Sequence, residues 1–488
     1  MVALRVKRGA RRWWHDVSEH HIRLGGLAAT VAGVYALTRY RRYSVPVVGG
    51  KQNIRASGVA PATSHSSFTE NASTLAVYPR HRLDVSIRDL LFGLTACIWA
   101  PQPRRLAAEV ARFFAPDEDA LACLSVRSGF DLLLGALGVQ PGDEVLVSAV
   151  THPDMVRIIQ GHGLLAIPVD LDTATFGPRA ELLEGALSPR TRALLVAHLF
   201  GGRFDLDRVV AFARRHGLLL IEDCAQAFRG PSDVGDTAAD VSMFSFGHIK
   251  TASAVGGAVL CVRDAGLLER MRYAQDRWPV QSRFHYAGRL LKALCLVLLE
   301  RPLAYGLLAR LCALCGRDLD GLVNSAVRAF PASGGVDGDL FKKIRRQPSA
   351  PLLALLARRL RTFDASRLAR RAAVGESMAW RLPSTVRHPG RLAASRTHWL
   401  FPVEASDPEG LVSALRQRRF DASRVTSSIG PVPAPADLLR TEPESANQMM
   451  SHLVFLPAYP ELPMEALVQL SRAVEEITAH DRELEERA

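Results

Sequence analysis

Between Asp143 and Asp223 the chain alternates apolar runs of strand length with amphipathic helical stretches, and this alternation limits the folds open to it. DEVLVSAV (143–150) reads as a strand and MVRIIQGHG (155–163) as a helix closed by glycine. LLAIPVD (164–170) is a strand again, and PRAELLEGAL (178–187) a helix. ALLVAHLF (193–200), DLDRVVAFARRHG (205–217) and LLLIED (218–223) repeat the pattern. Strands separated by whole helices must be joined by crossover connections, which predicts an α/β fold with a mainly parallel sheet covered on both faces. In such sheets ligands gather at the carboxyl ends of the strands, where Asp223 falls.

Composition decides which classes remain. A chain of 488 residues with 48% hydrophobic and 23% charged residues is globular and long enough for two or three domains. Its seven scattered cysteines form no disulfide framework and fit a reducing compartment. Cys312 and Cys315 form a CxxC, but with no second pair they read as small hydrophobes buried on a helix, and no metal site is expected. The net charge of +12 is concentrated in RVKRGARRWW and RYRRY near the start and again between Arg345 and Arg371. No helix-turn-helix, zinc-finger or RNA-binding aromatic motif accompanies it, so no nucleic-acid partner is expected.

Four regions follow. Residues 1–75 are a basic leader and linker with a short apolar stretch from Leu24 to Leu37, too short and glycine-rich to span a bilayer, which suits an interfacial or packed helix. Residues 76–265 carry the strand–helix alternation. Residues 266–345 break it with apolar helices. Residues 346–488 suggest a smaller C-terminal α+β domain, with HWLFPVE and SHLVFLPA as its strand candidates. Within the third region, 288–316 is nearly all apolar yet interrupted by Arg289, Lys292, Glu300, Arg301, Pro302 and Arg310. That pattern fits either the plane of an anionic membrane surface or a helical hairpin packed on the protein.

Chemistry concentrates after the last strand of the alternation. Glu222 and Asp223 close one apolar run; MFSFGHIKTASAVGGAVL (243–260) then places Lys250 in a loop of small residues ending in Gly256 and Gly257. A pyridoxal-phosphate enzyme needs a carboxylate to keep the pyridine nitrogen protonated and a lysine to hold the cofactor aldehyde as a Schiff base. Asp223 and Lys250 have the residue types and order for those tasks. GVQPGDEVLVSAVTH (138–152), the block from Ser188 to Phe228 and SFGHIK (245–250) together resemble the DegT-type sugar aminotransferases, of aspartate-aminotransferase fold (fold type I). The resemblance runs from about Arg82 to Ile477 and is most specific over 138–262.

What this resemblance implies can be stated residue by residue. Lys250, four residues after Phe246, is the Schiff-base lysine, and Asp223 the partner of the pyridine nitrogen. Gln226 lies beside the cofactor ring and its 3-hydroxyl. His152 takes the position of an aromatic residue stacked on the ring. Ser245 and a helix start in SVRSGFDLLLGAL bind the phosphate, with Arg127, Ser128 and Gly129 sharing the claim because the match slides by one residue. Two departures fall near the substrate: KTASAVGG is one residue short and lacks the family's acid, and RRQPSA stands where relatives have Asn-Tyr-Arg. They bear on the sugar more than on the cofactor.

The implied reaction moves an amino group from glutamate or a similar donor to a keto acceptor, a keto nucleotide sugar by resemblance. A lyase or dehydratase reaction with the same cofactor is one alternative, and a non-catalytic membrane-associated relative is another. The resemblance also implies a homodimer in which the segment near Gln347 crosses to the neighbour. The expected location is the cytoplasm, with the inner membrane face as a second site of residence.

Overall fold

The apolar runs become strands because their alternate residues have two cores to enter. A computed structural model describes residues 75–100, 102–114, 119–327, 338–424, 429–435 and 441–487. The leader with its apolar stretch lies outside the described residues, as does most of the loop PASGGVDGD. Seven strands, β1 (Ala120–Cys123), β2 (Glu144–Ser148), β3 (Leu165–Val169), β4 (Thr191–Ala197), β5 (Leu219–Asp223), β6 (Val241–Ser245) and β7 (Ala258–Val262), form one sheet in the order β1-β7-β6-β5-β4-β2-β3. Strands β2 to β6 are mutually parallel. Only β7 is reversed, antiparallel to both β6 and β1. The sequence expectation of an α/β fold with a mainly parallel sheet holds.

Helices α1 (Ile87–Trp99), α2 (Pro103–Arg112), α3 (Val126–Ala136), α4 (Pro153–Gly161), α5 (Ala180–Ala186), α6 (Asp207–His216) and α7 (Ala265–Asp276) surround this sheet. Val145, Val147, Ala193, Leu195 and Ile221 enter one core with Phe130 and Leu133 of α3 and Ile158 of α4. Their neighbours Leu146, Leu194, Val196 and Leu220 enter the other, against Val209 and Phe212 of α6. This period-2 division between two apolar layers is why the strands read as unbroken hydrophobic runs. Helix α6 stops where Gly217 takes the left-handed conformation at φ 63° after the basic turn Arg214–Arg215–His216.

The apolar segment forms α8 (Arg283–Leu299) and α9 (Pro302–Leu314), followed by α10 (Leu319–Val327) and α11 (Gly338–Ile344). No helix among the described residues is long and apolar enough to cross a membrane. Helix α8 buries Tyr286, Leu290 and Ala293 against the sheet-bearing part, and the Tyr286 hydroxyl donates to the Ala254 carbonyl at 2.7 Å. The CxxC splits: Cys312 is buried on α9, whereas Cys315 at its end is exposed, so only one of the pair acts as a core hydrophobe.

Helix α12 (Ala350–Arg361) is almost wholly buried and shares a core with α1, α2, α8 and the lysine-bearing loop. A separate C-terminal core therefore starts later than residue 346. It is built from α13 (Ala365–Arg381), α14 (Pro408–Gln417), α16 (Met464–Arg487) and the antiparallel pair β8 (Phe401–Glu404) and β9 (Leu453–Leu456), with α15 (Glu444–His452) leading into β9. These two strands are the HWLFPVE and SHLVFLPA candidates.

Candidate active site

Two neighbouring strand ends set the chemistry. Glu222 and Asp223 close β5 on opposite faces, as successive strand residues must. Glu222 is buried and accepts from Ser242 Oγ and the Asp236 amide, both at 2.8 Å, and lies 2.9 Å from His198 Nε2. Burial works against its ionisation, but His198, Arg203 and the Asp236 amide prevail and hold the carboxyl well below its ordinary range. Cys224 also brings its sulfur within 4.8 Å of His198 and Glu222, yet those two groups are already bonded to each other. Asp223 behaves in the opposite way. Burial pushes its carboxyl up, against the Ala225 amide that donates to it at 2.8 Å and the charge of Lys250.

Lys250 follows β6 in a tight loop. The Phe246 amide donates to the Gly257 carbonyl at 3.0 Å, and the Lys250 amide to Gly247 at 3.1 Å. The space above Gly247 is bounded by Lys250 Cγ and Ser245 Oγ, 3.7 and 3.8 Å from where a Cβ would stand, so these two side chains flank one spot. Burial lowers the Lys250 ammonium to about 8, with Arg127 adding to the effect and Asp223 opposing it. The amine sits 3.9 Å from the centroid of the Trp399 ring, whose indole N–H donates to the Ile249 carbonyl at 2.7 Å.

The start of α3 faces the same region. Ser125 caps it, accepting from the Ser128 amide at 3.2 Å, and the two serine hydroxyls share a 2.9 Å hydrogen bond. The Gly257 amide donates to the Leu124 carbonyl at 3.0 Å, which ties this helix start to the end of the lysine loop. The cap of this helix is Ser125, ahead of the phosphate candidates Arg127, Ser128 and Gly129. Gly129 lies in the first turn of the helix. Its amide donates to the Ser125 carbonyl within the helix, and a Cβ there would stand 2.2 Å from Leu260 Cδ1, so this glycine is required for helix–strand packing. Ser128 is fully buried with its hydroxyl bonded to Ser125. Arg127 pairs with Asp154 at 2.6 Å while its charge reaches Lys250.

His152 caps α4, its Nδ1 accepting from the Asp154 amide at 3.1 Å. Burial, then Arg127, and further Lys250 depress its pKa, so the ring is neutral at neutral pH and lies within electrostatic reach of the lysine. Gln226 accepts the Phe200 amide at 2.9 Å through Oε1, which leaves its amide N–H groups to donate elsewhere. Lys250, Asp223, Ser245, Arg127 and His152 thus surround one site. Sequence reasoning missed Ser125 and Trp399. A serine ahead of an apolar helix is a cap signature and was available; nothing near Trp399 marks it.

The donor set fits a pyridine cofactor carrying a phosphate: a buried amine of lowered pKa, a carboxylate one strand away, and a capped helix start beside Ser245. Comparison with known proteins points the same way. Residues 95–288 match the model of the DegT/DnrJ/EryC1/StrS aminotransferase family. The chain is 33% identical over 198 residues to the GDP-perosamine synthase of Caulobacter vibrioides, covering 39% of this chain and 53% of that protein. It is 32% identical over 191 residues to a UDP-N-acetyl-3-dehydro-alpha-D-glucosamine 3-aminotransferase of Acidithiobacillus ferrooxidans, covering 38% and 50%. The chain thus spans about half the length of these relatives. Among solved structures, the aminotransferase TlmJ from Streptoalloteichus hindustanus superposes with a TM-score of 0.59 at 21% identity, over 83% of this chain and 99% of that one. NtdA from Bacillus subtilis, solved with bound cofactor PMP, gives 0.56 at 16% identity over 84% of each. Residues 95–288, which contain Asp223, Ser245 and Lys250, are thus similar to the DegT/DnrJ/EryC1/StrS aminotransferases.

Proposed function

We propose that this protein is a pyridoxal-phosphate-dependent aminotransferase that moves an amino group from glutamate, or a similar donor, to a keto nucleotide sugar. The observation that carries the reading is the convergence of Lys250 and Asp223 at the ends of adjacent parallel strands, with the lysine amine brought to about 8 by burial. Lys250 is the point of covalent attachment and Asp223 the partner of the ring nitrogen. Gln226 and His152 flank the ring; Ser125, Ser128, Ser245 and Arg127 serve the phosphate. When bound, the cofactor supplies an electrophilic carbonyl and a sink for the charge left at the donor's α-carbon. Lys250 then moves the proton taken from that carbon, held in place against the Trp399 ring. The names of the two relatives support an amino-sugar product.

In the same reading, residues 76–265 carry the cofactor, 266–345 are an insertion on that domain, and the C-terminal part contributes Trp399. The protein works as a homodimer. The support is an apolar face on α1 and α8 that exposes Leu91, Phe92, Ile98, Trp99, Phe284 and Leu291. The segment around Gln347, expected to cross to the neighbour, is tied to its own chain, with Gln347 Nε2 donating to the Trp278 carbonyl at 2.8 Å and Arg345 bonded to Asp131. All seven cysteines are free thiols, which supports a cytoplasmic location.

The test is direct. Purified protein loaded with pyridoxal phosphate absorbs in the visible, borohydride bleaches it, and the reduced adduct maps to Lys250. Added glutamate yields 2-oxoglutarate in a single turnover, and a screen of 3-keto and 4-keto nucleotide sugars identifies the acceptor. An adduct on another lysine overturns the assignment of Lys250; elimination of water from the sugar without 2-oxoglutarate formation selects the lyase alternative.

A further inference from the structure

Helix α8, which begins inside the segment that matches the family model and runs past its end at residue 288, contributes to the site. Helix α8 begins at Arg283, and its Tyr286 hydroxyl anchors it to the lysine loop at Ala254. One turn further, Arg289 lies half-buried against the end of that loop: a Cβ built on Gly256 would stand 3.3 Å from Nη2 and 3.4 Å from Nη1 of its guanidinium. Gly256, at φ 152°, adjoins Gly257, whose amide donates to Leu124, the residue before the α3 cap. Across the β6–β7 pair, Ser245 faces Ala258. The guanidinium therefore stands beside the meeting point of three elements: the capped start of α3, Ser245, and the end of the lysine loop.

Charge and hydrogen bonding point to an anion there. Arg127 acts electrostatically on both Arg289 and Lys250, so three cationic side chains share one buried region. Asp154 pairs with Arg127 and Asp223 acts on Lys250, and a bound anion would add to that compensation. His248, 4% exposed and two residues before Lys250, has both ring nitrogens buried without a hydrogen-bond partner among the described residues. Burial, and after it the charges of Arg289 and Lys292, favour the neutral form of this imidazole, which keeps one N–H to donate. A buried donor without an acceptor is destabilising, and an oxyanion would satisfy it.

We propose that Arg289, carried in by the inserted helix, binds the phosphate group of the cofactor, with His248 as a neutral donor beside it. This rests on the reading of the site given above.

The experiment compares two aldehydes on cofactor-free protein. Pyridoxal 5′-phosphate and pyridoxal both react with Lys250, but only the first carries a phosphate. Wild type, Arg289→Met and Arg289→Lys are titrated with each by visible absorbance, and inorganic phosphate and UDP are titrated as competitors. The expected result is pyridoxal phosphate binding weakened about 10- to 100-fold in Arg289→Met and less in Arg289→Lys, with pyridoxal binding unchanged. Competition by inorganic phosphate should weaken in parallel. Unchanged pyridoxal phosphate binding overturns the proposal, and if UDP competition alone weakens, the arginine serves the substrate's diphosphate instead. Equal losses for both aldehydes show a role in folding only, and also overturn it. Wild-type protein that takes up neither aldehyde removes the cofactor reading itself, and this inference with it.

Discussion

An amine attacks an aldehyde only in its neutral form, so the titration of Lys250 fixes the pH at which cofactor can be taken up. Burial lowers the ammonium to about 8. The rate of covalent attachment to cofactor-free protein should therefore rise with pH as the proton leaves and level off above about 8, where an ordinary lysine would still be gaining toward pH 10. Stopped-flow absorbance against pH reads this directly, and a midpoint near 10 would remove the depressed amine. Asp223 gives a second prediction. Asp223→Asn keeps the shape of the side chain but removes the ion partner of the ring nitrogen, so the glutamate half-reaction should slow about a thousandfold or more while cofactor binding weakens much less. Near-normal single-turnover rates would refute that role. These two residues stand out in the sequence because the proposed chemistry demands particular residue types, and the apolar runs before them mark the ends of the strands that they close or follow. Trp399 was not legible: it reaches Ile249 across 150 positions, and only tertiary packing brings it to the lysine. The 127–129 assignment slides by one residue because it rests on the match of a short polar pair, and the cap signature of Ser125 just ahead of it was not used.

At the scale of elements, the strands of the alternation were readable and the reversed strand was not. Ile221 and Leu220 enter different cores, so β5 must be apolar on both faces, and the sequence reports that without ambiguity. Nothing in AVLCV marks β7 as antiparallel. Its direction follows from the loop carrying Lys250, which holds no helix and closes on itself through the Phe246–Gly257 hydrogen bond, so that β6 and β7 form a hairpin. The insertion was ambiguous for another reason: its composition suits a lipid surface and a protein surface alike, and only the burial of Tyr286, Leu290 and Ala293 shows that one face of α8 packs on protein. The contact between α3 and β7 allows a quantitative test. A methyl at position 129 would stand 2.2 Å from Leu260 Cδ1, so Gly129→Ala should destabilise the fold by about 1–3 kcal/mol. Leu260→Ala opens a cavity and is destabilising by itself. In the double variant the new methyl enters the space the leucine leaves, so the combined loss should be smaller than the sum of the single losses. Chemical denaturation of the four proteins measures the coupling; strict additivity would mean that the two residues do not meet.

The whole molecule carries a net charge of +12, and one of its arginine clusters reaches the edge of the apolar face, where Arg358 lies over the Phe92 ring at 4.9 Å. Helices α1 and α8 pack together, with Gly93 against Leu290 and Cys97 within reach of Arg283, so they run antiparallel and bring Ile98 and Trp99 toward Phe284. Trp99 is 82% and Phe284 90% exposed, unusual for residues of this size on a surface with no partner. A stable dimer buries about 800 Å² on each partner around such aromatic anchors, and a second copy of the chain is the occupant we favour. Wild-type protein should sediment as a dimer at micromolar concentration. Trp99→Glu combined with Phe284→Glu should leave a monomer of similar melting temperature, because both side chains already face solvent in the single chain and contribute little to its core. Loss of the dimer should lower turnover if the neighbour completes the site, and leave it unchanged if each chain is self-sufficient. Flotation with anionic vesicles separates the remaining alternative: wild type that is monomeric throughout and binds vesicles, with binding lost in the same double variant, would assign this face to a lipid surface and not to a second copy.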